Sequence, residues 1–221
     1  SKNIKKTIIN NKSNKFFFNE DYNFSSNEND FFYYEDKFGG MKLPRPNVHG
    51  QFQLENISTA IATLRIIKQL NTNDMCIKSG ITKIPSIARL QEITEGKLKN
   101  LVKGNRLLVD GSHNPLGAKV LNDYLESLNC EKHVIVGMMA NKNHQEYMSY
   151  FKNIKSLTII DIPNQSNSIK GKDLKNKLNN HTNIQYKENI FEAIKSIPVN
   201  KNDLILITGS LYLAGEVLNL N

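Results

Sequence analysis

The amino-acid sequence predicts an α/β fold in which a mostly parallel sheet is flanked by helices, preceded by a shorter β-rich segment. Three observations predict it: aromatic, extended runs near the start of the chain, one long helical pattern after them, and short β-branched runs that alternate with helical patterns over the remaining residues. Such alternation is typical of parallel strands joined by crossover helices.

Residues 1–48 are predicted to be β-rich. The runs "KFFFNEDYNF" and "DFFYYED" are aromatic, are separated by polar turn-forming residues and are followed by "FGG". Aromatic residues favour strands, and short polar joints between such runs favour hairpins.

One long helix is predicted for residues 51–70, "QFQLENISTAIATLRIIKQL", where apolar residues recur at helical spacing after the proline-rich "LPRPNVHG". The polar run "NTNDMCIKSG" follows and is interpreted as a linker. We therefore predict one domain over residues 1–72 and a second over residues 73–221.

In the second domain, strands and helices alternate. The predicted strands are "RLLVD", "HVIVGM", "SLTIID", "IQYK" and "DLILITG". The predicted helices follow Pro115, lie around residues 145–152, follow Ser168, cover residues 190–197 and begin at Leu211. This order favours a parallel sheet with helices on its faces.

Composition excludes several classes of protein. No apolar run is long enough to span a membrane, and the N-terminus lacks the apolar centre of a signal peptide, so a cytoplasmic protein is expected. The two cysteines, Cys76 and Cys130, are too far apart for a C-x-x-C pair, and the histidines lack metal-ligand spacing, so no metal site is predicted.

The net charge of +8 comes from lysines that are spread along the chain. This spread does not favour a nucleic-acid surface, and small anionic ligands would suit the charge as well as a nucleic acid.

Two strand-to-helix loops are the candidates for chemistry. In "LVDGSHNPLGA" a strand ends at Asp110, Asn114 can cap the next helix, and Pro115 suits its first turn; "LITGSLYLAGEV" has the same build around Ser210. Ligands of parallel sheets collect at the carboxyl ends of strands, where helix N-termini favour anions. These residue types are also ordinary turn formers, so the loops alone leave a purely structural role open.

Four motifs in order resemble the folylpolyglutamate synthase and dihydrofolate synthase family of the Mur ligase superfamily. "GQFQLENISTAIATL" is similar to the family's G-x-H-Q-x-x-N-A helix, "IPSIARLQEI" to P-G-R-x-Q/E, "LLVDGSHNPLGA" to D-G-A-H-N-P, and "LITGSLYLAGEVL" to T-G-S-L-Y-L-x-G-E-V. The resemblance implies a Rossmann-like ligase domain preceded by the β-rich end and last helix of a central ATPase domain.

The resemblance covers only the C-terminal half of the family's enzymes. Such an enzyme begins with a P-loop ATPase domain, and this sequence has no G-x-x-x-x-G-K-[ST]. The resemblance therefore implies a monomeric ATP-dependent amide ligase of folate biosynthesis and one-carbon metabolism, whose Mg²⁺ ligands lie in an N-terminal ATPase domain and whose present half is inactive alone. Its substrates would be ATP, L-glutamate and dihydropteroate or a folate, joined through an acyl phosphate.

The family's nucleotide-binding residues match four positions. Asn56 matches a helix asparagine that contacts the nucleotide, Arg89 an arginine that reaches its phosphates, and Asp110 an aspartate that binds its ribose. Guanidinium and carboxylate groups suit phosphate oxygens and hydroxyl donors respectively. Asn114 is assigned with them as a cofactor-binding residue.

The resemblance places His113 and Ser210 near the incoming glutamate, as catalytic residues, with Asn114 beside them. The sequence also departs from the family pattern: Ser112 replaces alanine, Phe52 replaces histidine, and "ANKNHQ" has Asn141 and Asn143 around Lys142 where many relatives have D-K-D. Two alternatives stay open: a Mur-type cell-wall amino-acid ligase, and a non-catalytic Rossmann-like module that binds a nucleotide or anion.

Overall fold

A computed structural model describes residues 6–8, 10–11, 15–26, 31–46, 48, 51–85, 87–178 and 183–221. The chain forms two compact units, Ser1–Pro85 and Ser86–Asn221. Each unit has its own core of buried apolar side chains.

The first unit packs helices against a small antiparallel sheet. Its strands are β1 (Tyr22–Ser26), β2 (Phe31–Asp36) and β3 (Gly39–Pro44), in the order β1-β2-β3, and its helices are α1 (Gln51–Ile66), a 3₁₀ turn (Lys68–Leu70) and α2 (Asp74–Ile81). The aromatic runs alternate along β2, where Phe32 and Tyr34 are fully buried. These strands form the β-rich segment that the sequence predicts.

The units divide after α2, whereas the sequence placed the boundary before it, at residue 72. The polar run that suggested a linker starts a helix instead: the Asn73 side chain accepts the Cys76 N–H at 2.9 Å and caps α2. Ile77 and Ile81 on this helix pack into the core of the first unit. Helix α2 therefore belongs to the first unit because its apolar face is buried there.

The second unit is a six-stranded sheet flanked by helices, which confirms the predicted fold class. The strand order is β4-β5-β9-β6-β7-β8, with β4 antiparallel and the others parallel. The strands are β4 (Gln91–Glu92), β5 (Arg106–Val109), β6 (Lys132–Val136), β7 (Ser156–Ile160), β8 (Ile184–Lys187) and β9 (Leu204–Thr208). The helices are α3 (Lys97–Leu101), α4 (Pro115–Glu126), α5 (His144–Ser149), α6 (Gly171–Lys177), α7 (Ile190–Ser196) and α8 (Leu211–Leu220).

Strand β9 lies at the centre of this sheet although it is the last strand in the sequence. All five of its residues are buried, as expected for a parallel strand covered on both faces. The chain passes from β5 to β6 and returns to fill the place between them. The carboxyl ends of β5, β9 and β6 therefore meet at a topological switch point, where such sheets bind ligands.

A buried histidine–aspartate pair lies near the opposite, amino ends of β6 and β9. His133 Nε2 is 3.3 Å from Asp203 Oδ2, and His133 Nδ1 is 2.7 Å from Ser156 Oγ. Burial lowers the pKa of His133 despite its aspartate partner. For Asp203, burial alone would raise the pKa, but the hydrogen bonds from the Asn200 N–H and His133 hold it below its ordinary value.

We expect the free energy of unfolding to fall as the pH drops below 6.5, the ordinary histidine pKa. The folded state keeps His133 neutral, so in this range the unfolded chain binds the additional proton and acid favours unfolding. Asp203 adds a further loss below its ordinary pKa of 3.8. Denaturant unfolding of the wild type and of His133→Gln between pH 8 and pH 5 measures the effect. The variant should lose less stability over this range than the wild type, and equal losses would contradict the assignment.

Candidate active site

Two strand-to-helix loops lie side by side at the carboxyl edge of the sheet. Strands β5 and β9 are parallel neighbours, with Val109 paired to Ile207. The loops that follow are joined by two backbone hydrogen bonds, one from Asp110 N to Ile207 O at 2.9 Å and one from Gly209 N to Ser112 O at 3.1 Å. The sequence-predicted residues His113 and Ser210 directly follow the bonded pair Ser112 and Gly209, so the fold brings their backbones together.

The second loop requires glycine at position 209. Gly209 has a φ of +104°, a conformation that L side chains rarely adopt. A Cβ at this position would lie 2.6 Å from Val136 Cγ2 and 2.7 Å from the Gly137 carbonyl oxygen. The "TGS" sequence is therefore needed for the backbone to pass so close to the end of β6.

Both loops end in capped helices. The Asn114 side chain accepts the Gly117 N–H at 2.8 Å and Pro115 occupies the first turn of α4, as the sequence predicts. The Ser210 hydroxyl oxygen accepts the Tyr212 N–H at 3.1 Å and caps α8. The positive ends of two helix dipoles thus lie at the same edge of the sheet.

The imidazole of His113 has a defined tautomer. Nδ1 lies 3.0 Å from the Gly111 carbonyl oxygen, and a carbonyl can only accept, so Nδ1 carries the proton. In the neutral ring Nε2 is then an acceptor with a free lone pair. Ser210 is only 2% exposed and has the opposite capacity: its oxygen accepts the Tyr212 N–H, so its hydroxyl proton is left to donate.

The Asp110 carboxylate joins the segment around Arg89 to the first loop. Its side chain is buried, and its two oxygens accept the Leu90 N–H at 2.9 Å and the Ser112 N–H at 2.8 Å. The Gly111 N–H donates to the Ala88 carbonyl at 2.8 Å and completes the junction. The carboxylate therefore links the Arg89 segment with the loop that carries His113.

Arg89 stands between two residues in the left-handed conformation. Ala88 has a φ of +52° and Leu90 a φ of +49°, and both side chains are buried, whereas the Arg89 side chain is exposed. A non-glycine residue in this conformation costs about 1–2 kcal/mol. The bonds from Asp110 and from Gln91 Oε1, which accepts the Ala88 N–H at 2.9 Å, hold the turn.

Asn56 belongs to the first unit, where it occupies an exposed position on α1. Arg89, Asp110, His113 and Ser210 belong to the second unit.

Sequence analysis missed Tyr147, which lies beneath the two loops on α5. Its hydroxyl donates to the Ser112 carbonyl at 3.1 Å and lies 2.8 Å from Thr208 Oγ1 and 3.2 Å from Ser112 Oγ. The side chain is fully buried, and burial raises the pKa of its hydroxyl, which therefore stays protonated. No pattern in the sequence marks Tyr147, because it is distant from both loops along the chain.

The loop before α5 accounts for one departure from the family pattern. Asn143 caps α5 by accepting the Glu146 N–H at 3.3 Å, a role that aspartate would also fill. Lys142 is half-buried and its N–H donates to the Met139 carbonyl at 3.3 Å. The change from aspartate to Asn143 thus keeps the cap and removes a charge.

Within the described ranges, no three His, Cys, Asp or Glu side chains lie close enough together to hold a metal ion. Among these residues there is likewise no helix with the length and apolar character needed to cross a bilayer.

The chain matches the model of the protein family described as "Mur ligase, glutamate ligase domain". The match covers residues 89–211, which is more than half of the 221 residues and includes Arg89 and both loops. No curated protein sequence matches the chain.

Solved structures of folate ligases share the fold. Escherichia coli FolC in complex with DHPP and ADP is 21% identical, with a TM-score of 0.71 over 92% of this chain and 46% of that one. Mycobacterium tuberculosis folylpolyglutamate synthase complexed with ADP and AMPPCP is 15% identical, with a TM-score of 0.79 over 98% of this chain and 51% of that one. A bifunctional folylpolyglutamate synthase/dihydrofolate synthase with Mn, AMPPNP and L-glutamate bound is 17% identical, with a TM-score of 0.77 over 99% and 50%. The chain spans about half the length of these proteins, and at such identities the likeness shows the fold alone.

Proposed function

The chain belongs to the Mur ligase family through its glutamate ligase domain, and from this premise we propose that it is the C-terminal half of an ATP-dependent ligase that adds L-glutamate to dihydropteroate or a folate. The proposal includes a cytoplasmic, monomeric enzyme whose N-terminal ATPase domain supplies the P-loop and the Mg²⁺ ligands. It is supported by the four motifs of the sequence and by the likeness to folate ligases over half their length.

The proposed reaction has two steps. A carboxylate oxygen of the pterin substrate takes the γ-phosphoryl group of ATP, and ADP leaves. The amino nitrogen of glutamate then attacks the acyl carbon, phosphate departs with the carbon–oxygen bond electrons, and the nitrogen loses a proton to give the amide. Both steps depend on holding two reactants in line and on charges arranged beforehand.

One observation carries the assignment of the glutamate site: the hydrogen-bonded loop pair presents a proton acceptor and a proton donor together. His113 Nε2 can accept a hydrogen bond from the amino group, because Nδ1–H is engaged by the Gly111 carbonyl. The Ser210 hydroxyl can donate to a carboxylate, because its oxygen is engaged by the Tyr212 N–H. An amino acid needs both partners, and the helix N-termini beside them favour its carboxylates.

The nucleotide site is proposed on the neighbouring segment. The exposed guanidinium of Arg89 can bind phosphate oxygens, and the bonds from Asp110 and Gln91 hold its backbone in place. Each Asp110 oxygen accepts one backbone N–H and keeps a second lone pair, which a ribose hydroxyl can use. For Asn56 and Asn114 the family resemblance alone supports a nucleotide contact, since the Asn114 oxygen already caps α4.

His113→Ala and Ser210→Ala test the glutamate site in the completed enzyme, meaning this chain together with its N-terminal ATPase domain. Each variant should raise the KM for glutamate about 10- to 100-fold, the loss expected for one hydrogen bond to a charged group, and change the KM for ATP much less. Initial rates with glutamate and ATP varied separately give both constants.

Asn189→Ala is the matched control, because it removes a helix cap of the same kind from α7, after β8 at the far edge of the sheet. It should leave the KM for glutamate unchanged. A defect of His113→Ala and Ser210→Ala confined to ATP, or unchanged kinetics, would return these two residues to a structural role in the turns.

A further inference from the structure

A cluster of three hydroxyl groups lies beneath the loops that carry His113 and Ser210; Tyr147 and Thr208 are buried and Ser112 is half-buried. Tyr147 Oη is 2.8 Å from Thr208 Oγ1 and 3.2 Å from Ser112 Oγ, and these two oxygens are 3.3 Å apart. Ser112 immediately precedes His113, and Thr208 is two residues before Ser210. The cluster therefore touches both loops from below.

The protons in the cluster can be assigned around the tyrosine. Tyr147 has one hydroxyl proton, which it donates to the Ser112 carbonyl at 3.1 Å. Its oxygen must then accept from Thr208, whose hydroxyl is 2.8 Å away. The Ser112 carbonyl accepts a second bond, from the Gly209 N–H at 3.1 Å, so both of its lone pairs are used. One carbonyl is thus held by α5 and by the second loop together.

The tyrosine ring is a rigid support for this carbonyl. It is fully buried and packs against Phe151 with a centroid distance of 5.4 Å. The loop above it includes Gly209, which has no side chain and adopts a positive φ. A fixed donor below a glycine-containing junction restricts how far the two loops can move apart.

We propose that Tyr147 is a positioning residue that sets the distance between the His113 loop and the Ser210 loop, and thereby the affinity for the amino acid. The inference rests on the proposed function, in which the two loops bind glutamate. The Tyr147 hydroxyl is fully buried and is already engaged by the Ser112 carbonyl and by Thr208 Oγ1, so it acts through the loops and not on a substrate. Ser112 Oγ is an auxiliary member, because relatives with alanine at that position lack it.

Tyr147→Phe in the completed enzyme is the test, because it removes the hydroxyl and keeps the ring. The KM for glutamate should rise about 2- to 12-fold, the range expected for one neutral hydrogen bond, while the KM for ATP stays within about twofold. Exchange of the Gly209 amide hydrogen should accelerate, since its acceptor is no longer held from below.

Two variants serve as controls and one as a second test. Tyr186 lies on β8, away from the loops, and its hydroxyl donates to Asp161 at 2.6 Å. Tyr186→Phe removes this hydroxyl and should leave the KM for glutamate unchanged. Ser112→Ala should have a smaller effect than Tyr147→Phe. Thr208→Val keeps the side-chain shape and removes the hydroxyl whose donation to Tyr147 Oη directs the tyrosine proton to the Ser112 carbonyl. It should raise the KM for glutamate in the same direction as Tyr147→Phe, and it decides the question if Tyr147→Phe fails to fold.

The inference is overturned if Tyr147→Phe or, in its place, Thr208→Val leaves both the KM for glutamate and Gly209 exchange unchanged, or raises the two KM values equally. His113→Ala separates this failure from that of the proposed function. If His113→Ala raises the KM for glutamate and Tyr147→Phe does not, only the positioning role is lost. If His113→Ala has no effect on it, the glutamate site itself is misassigned.

Discussion

Asp110→Ala should both destabilise the protein and slow the reaction at limiting ATP. The side chain is only 7% exposed, and its removal leaves the N–H groups of Leu90 and Ser112 without their acceptor. Unpaired buried groups of this kind cost about 1–3 kcal/mol each, so for the two groups we expect a loss of about 2–6 kcal/mol in the free energy of unfolding. Denaturant unfolding of the 221-residue chain measures this loss directly.

Arg89→Ala is the matched variant, because its side chain is exposed and its removal leaves the backbone bonds of the turn in place. It should leave stability within about 0.5 kcal/mol of the wild type. In the completed enzyme, both variants should lower the rate at limiting ATP about 10- to 100-fold, since we propose that each side chain makes one charged contact to the nucleotide.

The two measurements separate the structural and the ligand-binding roles of Asp110. If Asp110→Ala unfolds at the wild-type denaturant concentration, the carboxylate does not fasten the Arg89 segment. Wild-type rates at limiting ATP in both variants would contradict the nucleotide assignment. From the sequence alone, Asp110→Ala would be expected to leave the fold intact. The bond between Asp110 and Leu90 joins residues twenty positions apart, so no local pattern in the sequence indicates it.

The parallel sheet and the two capped loops could be predicted from the sequence because their determinants are local. Asn114 followed by Pro115 marks a helix start, and the same holds for Ser210 after a buried apolar strand. The central place of β9 could not be read from its own residues. Strand order depends on which buried faces pack together, and that information is spread along the chain.

The conformation of the Arg89 turn could not be predicted. Alanine and leucine rarely adopt positive φ, so nothing in "IARLQ" marks Ala88 and Leu90 as left-handed. Two hydrogen bonds hold this turn. The Leu90 N–H donates to Asp110, which is twenty residues away, and the Ala88 N–H donates to the Gln91 side chain, which folds back over the turn. The place of Tyr147 could not be predicted either, because its hydrogen-bond partners Ser112 and Thr208 lie far from it in the sequence.

The boundary between the two units shows a different limit. A polar run such as "NTND" is typical of linkers and of helix starts alike, and the capping bond from Asn73 identifies it here as a helix start. Only the burial of Ile77 and Ile81 shows which core receives that helix.

The central claim is that this chain is the glutamate-binding half of an ATP-dependent folate ligase. ADP release tests it most directly, measured with the purified 221-residue chain alone and then with the N-terminal ATPase domain added or encoded in the same chain. Each assay contains ATP, Mg²⁺, L-glutamate and either dihydropteroate or a folate, with one component omitted in turn.

We expect no ADP release by the chain alone, because the sequence has no P-loop to hold the β- and γ-phosphates. Steady-state ADP release by the completed enzyme should require ATP, L-glutamate and the pterin substrate together. Glutamate- and pterin-dependent ADP release by the isolated chain would contradict the proposed function. So would a completed enzyme that ignores pterin substrates, and one that used a cell-wall precursor instead would be a Mur-type ligase.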